Sequence, residues 1–212
     1  DYDAVLEEMV DNDASLCLAT RRRLAHKVFA HTATYDAAVA SYFDRACESP
    51  EDAGSTFAVT APIVQSLRYG ENPHQTAALY GAPERYFEKL HGKELSFNNL
   101  LDLSAALQLI DEFADADPTV AILKHTNPCG VAMADSLSEA YAKAFATDRQ
   151  SPFGGIVVVN RPLDRSTAEA IDAVFTELII APEFEEGVLG FLEQKKIRRL
   201  IRRMAPARSD QA

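Results

Sequence analysis

Three short apolar runs constrain this chain more than any other feature: Thr-Val-Ala-Ile-Leu at 119–123, Ile-Val-Val-Val at 156–159 and Leu-Ile-Ile-Ala at 178–181. Each reads as a buried strand, and helix-patterned segments separate them. Residues 100–113 have amphipathic spacing and a helix start at Asn98 or Asn99. Ser136-Leu137-Ser138-Glu139 has the pattern of a capping box and opens a helix to about Ala146. Ser166-Thr167-Ala168-Glu169 repeats that pattern inside an expected helix over 164–175. Strands alternating with helices of this length imply an α/β domain with a largely parallel sheet.

Upstream the pattern changes. Residues 1–47 read as all helix, with Leu24, Val28, Tyr35, Val39 and Phe43 near helical spacing and Asn12 or Asp13 capping the long helix. Residues 48–56 are polar and contain Pro50 and Gly54, so a linker and the main domain boundary are expected there. Residues 57–67 read as extended, with Pro62 marking an edge or a break, and 79–80 and 86–90 as short strands. A length of 212 residues fits one large domain or two small ones. No apolar run is long enough for a membrane span.

The formal charge is −11, and seven basic residues cluster between Lys195 and Arg208. The remainder is more acidic still, which disfavours nucleic acid and anionic membrane surfaces as partners. The basic cluster reads as a solvated terminal segment, with 202–212 a disordered tail. Cys17, Cys47 and Cys129 are odd in number and widely spaced, which favours a reducing cytoplasm over a disulfide framework. No Cys-x-x-Cys pair offers a zinc site, and the start at Asp1-Tyr2-Asp3-Ala4 lacks the basic region of a signal peptide.

In open α/β sheets, ligands bind where strands end. After residues 119–123 comes Lys124-His125-Thr126-Asn127-Pro128-Cys129-Gly130. A neighbouring ammonium favours a neutral imidazole, the form a general base requires. The simpler alternative is a surface Lys followed by a turn His, and the two readings stand about even. Leu67-Arg68-Tyr69-Gly70-Glu71-Asn72-Pro73-His74-Gln75 carries an Arg suited to phosphate, or is a plain polar loop. Gly92-Lys93-Glu94-Leu95-Ser96-Phe97-Asn98-Asn99 ends at a helix start that suits an anion or carboxamide, or is simple capping. Ser151-Pro152-Phe153-Gly154-Gly155 allows close backbone approach to a ligand, or is a tight turn. A Walker loop, a GxGxxG fingerprint, a nucleophile elbow and the zinc-deaminase Pro-Cys-x-x-Cys pattern are all absent from the sequence.

Taken together and in this order, the four stretches closely resemble the bifunctional purine-synthesis family in which an AICAR transformylase is fused to an IMP cyclohydrolase. Residues 1–47 resemble the end of the cyclohydrolase domain. Residues 57–201 resemble the first transformylase subdomain, which implies a cytidine-deaminase-like αβα fold without the zinc.

The resemblance implies formyl transfer from 10-formyltetrahydrofolate to the 5-amino group of AICAR, in a cytoplasmic homodimer. Lys124 and His125 fall on the family's catalytic pair. Arg68 and Tyr69 fall on positions that hold the AICAR phosphate and ribose. Asn99 matches a position beside the nucleotide carboxamide, and Phe153 and Gly154 match the segment facing the base and the folate. No zinc is implied. The cyclohydrolase's catalytic segments and the second transformylase subdomain have no counterpart in these residues. The expectation is therefore a partial chain that carries one wall of the site and is inactive alone. The alternative is a non-catalytic nucleotide-binding or dimerisation fragment of the same protein.

Overall fold

A computed structural model describes residues 1–46 and 58–204. The expected linker over 48–56 lies outside the described residues. The chain divides into two compact units, 1–62 and 63–212.

Among its described residues the first unit contains two helices, α1 (Tyr2–Asp11) and α2 (Leu18–Ala46), and not one continuous helical stretch. Asp13 and Ala14 adopt left-handed backbone conformations, which no helix propagates through. Asn12 therefore ends α1 and neither Asn12 nor Asp13 starts α2. The Cys17 sulfur instead accepts from the Thr20 N–H at 3.4 Å, and Glu8 accepts from the Cys17 N–H at 2.7 Å. No residue of α1 or α2 is buried. No described helix is long and apolar enough to cross a membrane.

The second unit opens with the antiparallel pair β1 (Ile63–Leu67) and β2 (Ala77–Tyr80), β1 starting directly after Pro62. A six-stranded sheet follows, formed by β3 (Phe87–His91), β4 (Thr119–Lys124), β5 (Asn127–Met133), β6 (Gly155–Val159), β7 (Thr176–Ala181) and β8 (Arg199–Arg203), in the order β3-β8-β7-β6-β4-β5. Only β6–β7 and β7–β8 pair in parallel. The other pairings are antiparallel, so the sheet is mixed, not largely parallel. A two-residue hairpin forces β5 antiparallel to β4.

Strand alternation divides the core between two faces. Val120, Ile122, Val157, Val159 and Ile179 pack with α4 (Leu137–Thr147), α5 (Arg165–Asp172) and α6 (Val188–Leu192). Ala121, Leu123, Ile156, Val158, Leu178 and Ile180 pack with α3 (Phe97–Asp111), chiefly through Leu103, Ala106 and Ile110. Each fully buried Ile or Leu contributes about 1.5–3 kcal/mol relative to leaving it exposed. The result is a three-layer α/β unit, with α3 on one side and α4, α5 and α6 on the other among the described residues.

The caps differ in detail from the sequence reading. Helix α3 starts from Ser96, not from Asn98 or Asn99. The Ser96 hydroxyl accepts from the Asn99 N–H, and the Asn99 side chain accepts from the Ser96 N–H. Ser136 caps α4 as expected, accepting from the Glu139 N–H at 3.2 Å. In α5 the cap is Asp164, which accepts from the Thr167 N–H at 2.8 Å, so Ser166 lies inside the first turn. Burial raises the Asp164 carboxyl, but hydrogen bonds from Ser166 and Thr167 outweigh it and the net shift is down. A lowered carboxyl contributes stability above its unfolded value and loses it as pH falls through its folded value. Asp164→Ala is expected to cost about 1 kcal/mol at neutral pH. In urea unfolding that loss should shrink as the solution is acidified through the carboxylate range.

The basic C-terminal segment is not solvated as expected. Residues 199–203 form β8, which lies between β3 and β7. Arg198 is fully buried, with its Nη1 on Asp172 Oδ1 at 2.7 Å, and Arg203 pairs with Asp111. Residues 205–212 lie outside the described residues.

Candidate active site

The site is built where β4 turns into β5. Lys124 pairs with Asn127 across a two-residue loop of His125 and Thr126. Both loop residues have positive φ, 51° and 65°, the signature of a type I′ hairpin turn. Such turns favour Asn-Gly, and a side chain in the left-handed region costs roughly 1–2 kcal/mol per residue. Three hydrogen bonds hold this one. The Asp102 carboxylate accepts from the Thr126 N–H at 2.8 Å. The Thr126 hydroxyl donates to the His125 carbonyl at 2.6 Å, and the Asn127 amide donates to the same carbonyl at 2.8 Å.

Lys124, His125, Asn99 and Gly154 line one small cavity of about 40 Å³, together with Asp102 and Glu177. Lys124 is half-buried, and its ammonium donates to the Phe153 carbonyl at 2.7 Å. That carbonyl is presented by the turn before β6, where Gly154 takes a φ of +72°. The Asp148 carboxylate braces the same turn by accepting from the Ser151 and Gln150 N–H groups at 3.0 and 2.9 Å. A hydrogen bond from the Ser151 side chain, then those from the Ser151 and Gln150 N–H groups, hold the Asp148 carboxyl below its usual value. Phe153 itself is exposed, its ring 5.4 Å from that of Phe175.

Two carboxylates in this cavity were not anticipated. Burial pushes the Asp102 carboxyl up and the charge of Glu177 adds to it, against the Thr126 hydrogen bond and the charge of His125. Asp102 stands three residues after Asn99 on α3, a spacing that puts both on one helix face. Glu177 lies near the start of β7, after Thr176 and before the apolar run Leu178–Ala181. Its Oε1 accepts from Asn99 Nδ2 at 3.0 Å and from Arg199 Nη1 at 2.8 Å. The Asn99 side-chain oxygen is engaged by Ser96.

Arg68 and Tyr69 do not line this cavity. They border a neighbouring groove of about 510 Å³ with Lys93, Glu94, Ser96 and Arg199. The Arg68 guanidinium lies 5.8 Å from the Tyr69 ring centroid. Two contacts join groove and cavity: the Arg199–Glu177 ion pair and the Ser96–Asn99 cap. Arg199 also donates to the Glu94 carbonyl. Sequence reasoning missed Arg199 because it lies in the basic cluster that reads as a solvated terminal segment. Burial pushes the Cys129 thiol above its ordinary value. Among the described residues, no three His, Cys, Asp or Glu side chains converge to hold a metal ion.

The comparisons with known proteins agree with one another. The family model AICARFT/IMPCHase bienzyme matches residues 1–212. The chain is 53% identical over 216 residues to the bifunctional purine biosynthesis protein PurH of Chlorobium phaeobacteroides (strain BS1), covering 97% of this chain and 41% of that protein. It is 53% identical over 209 residues to PurH of Chlorobium chlorochromatii, covering 95% and 40%. With PurH of Chloroflexus aurantiacus it shares 51% identity over 207 residues, covering 97% and 39%. The chain thus spans about two-fifths of the length of the curated relatives it matches. A family model matched from the first residue to the last, and half of all positions shared with these relatives, establish that this chain belongs to the AICARFT/IMPCHase bienzyme family.

Proposed function

We propose that this chain carries one wall of an AICAR formyltransferase site, working with the remaining length its relatives possess, in a protein that is also an IMP cyclohydrolase. The observation that carries this reading is the convergence of Lys124, His125, Asn99 and Gly154 on one cavity at the ends of β4 and β7's neighbour β6. A volume of about 40 Å³ admits a reacting amine or formyl group, not a nucleotide. The adjoining groove has the size and the cations for the rest of AICAR, with Arg68 on the phosphate and Tyr69 beside the ribose.

In this reading His125 takes a proton from the weakly nucleophilic 5-amino group as it attacks the formyl carbon of 10-formyltetrahydrofolate. The new C–N bond forms at the amine, the bond from the formyl carbon to the folate N10 breaks, and the proton held by His125 passes to N10 as tetrahydrofolate leaves. Lys124, anchored by the Phe153 carbonyl, stabilises the negative charge that develops on the formyl oxygen. Asn99 faces the carboxamide, and its remaining amide hydrogen is the group left to meet it. Phe153 and Gly154 face the base and the folate, the exposed Phe153 ring offering an apolar surface. The cytidine-deaminase-like classification of the unit, the homodimer, the absence of a zinc requirement and the cytoplasmic location belong to this same reading. A second reading is nucleotide binding or dimerisation without catalysis by this segment.

An AICAR titration followed by a formyl-transfer assay separates the two. Full-length protein should bind AICAR and turn it over with 10-formyltetrahydrofolate; binding without turnover would favour the second reading. Arg68→Ala should weaken AICAR binding by roughly 1.5–3 kcal/mol, the loss of one charge-assisted phosphate contact, with a smaller effect on turnover of bound substrate. An unchanged Kd would remove Arg68 from the phosphate site.

A further inference from the structure

We propose that Asp102 is a positioning residue for His125: its carboxylate, reaching from α3, anchors the left-handed turn that presents the imidazole to the cavity. This rests on the formyl-transfer reading above. The turn lacks the Asn-Gly chemistry that makes type I′ loops self-supporting, because His125 and Thr126 occupy both positive-φ positions. Of the three hydrogen bonds that hold it, two arise within the hairpin. The Asp102–Thr126 bond alone of the three comes from another element, so it ties the turn to the helix that also carries Asn99.

The electrostatics point the same way. Asp102 shares its cavity with Glu177 from β7, Lys124 from β4 and His125 from the turn. Among the described residues it forms no ion pair with a lysine or arginine; burial disfavours its charge most, and the Thr126 N–H bond is the largest contribution that favours it. A carboxylate whose charged form burial disfavours, and which a backbone N–H from the turn holds inside a site, is a candidate for a functional role.

The test uses full-length protein, with His125→Ala as the reference. Asp102→Ala should lower kcat by roughly 10–100-fold, the scale expected when a catalytic group is displaced by about 1 Å. The KM for AICAR should stay within about threefold, since ground-state binding is not at issue. Asp102→Asn keeps an oxygen to accept from Thr126 and should recover most of the turnover. It should also melt at the same temperature as the parent or higher at neutral pH. A raised carboxyl penalises the fold above its folded value and not below its unfolded value. The melting advantage of Asp102→Asn should therefore vanish as pH falls through the carboxylate range. Amide exchange at Thr126 should speed up in Asp102→Ala and not in Asp102→Asn.

Full turnover in Asp102→Ala beside an inactive His125→Ala would overturn the proposal. So would an Asn variant as impaired as the Ala variant, or a shared loss of kcat and melting temperature in both. If His125→Ala itself keeps full turnover, the formyl-transfer reading falls first, and this inference with it.

Discussion

Replacing His125 with alanine in the full-length protein is expected to cut formyl transfer by roughly 10²–10⁴-fold, the usual range for losing a general base. AICAR affinity should change far less. His125 lines the small cavity, whereas the groove proposed for the nucleotide is bordered by Arg68, Tyr69, Lys93 and Arg199. A loss confined to turnover is what removing a transition-state interaction produces. His125→Ala also leaves the turn bonds in place, because they run through the His125 carbonyl and the Thr126 N–H. Steady-state kinetics with saturating 10-formyltetrahydrofolate, beside an AICAR titration, would check it. Unchanged turnover would reduce Lys124-His125 to a structural turn.

The second large effect is expected at Gly92, between β3 and the segment that enters α3. Its φ is +96°, a conformation that L side chains rarely adopt. A Cβ built there would lie 2.1 Å from the Arg198 carbonyl oxygen and 2.8 Å from the Arg199 Cα. Both obstacles are backbone atoms at the start of β8, so no flexible side chain can move aside. Gly92→Ala should destabilise the protein by about 3 kcal/mol or more, combining conformational strain with a displaced strand. Urea unfolding would measure it. Because Lys93, Ser96 and Arg199 border the groove, AICAR binding should weaken with it. A loss below about 1 kcal/mol would mean that β8 shifts at little cost.

The residues themselves specify much of this protein. The apolar, β-branched runs ending at Leu123, Val159 and Ala181 form strands because each is buried on both faces. Ser136 starts α4 because its hydroxyl meets an N–H three residues on. These are short-range effects, legible from neighbouring residues. The Lys124-His125 pair, Asn99 and Gly154 were also legible, and the structure brings all four to one cavity. Tertiary structure alone decided the rest. The direction of strand pairing depends on how the chain returns to the sheet, so the antiparallel β4–β6 pair was not readable from two apolar runs. Residues 127–133 hid a strand behind Pro128 and Gly130, tolerated because β5 lies at the sheet edge. Arg198 and the arginines of β8 read as part of a solvated terminal segment because their partners are remote in sequence. Asp172 holds Arg198, Glu177 holds Arg199 and Asp111 holds Arg203, and those pairings allow a basic strand to be buried. The same separation concealed Asp102 and Glu177. A carboxylate acquires a role in a site only when another element brings it a hydrogen-bond donor or a charge, and 24 residues separate Asp102 from the N–H it accepts.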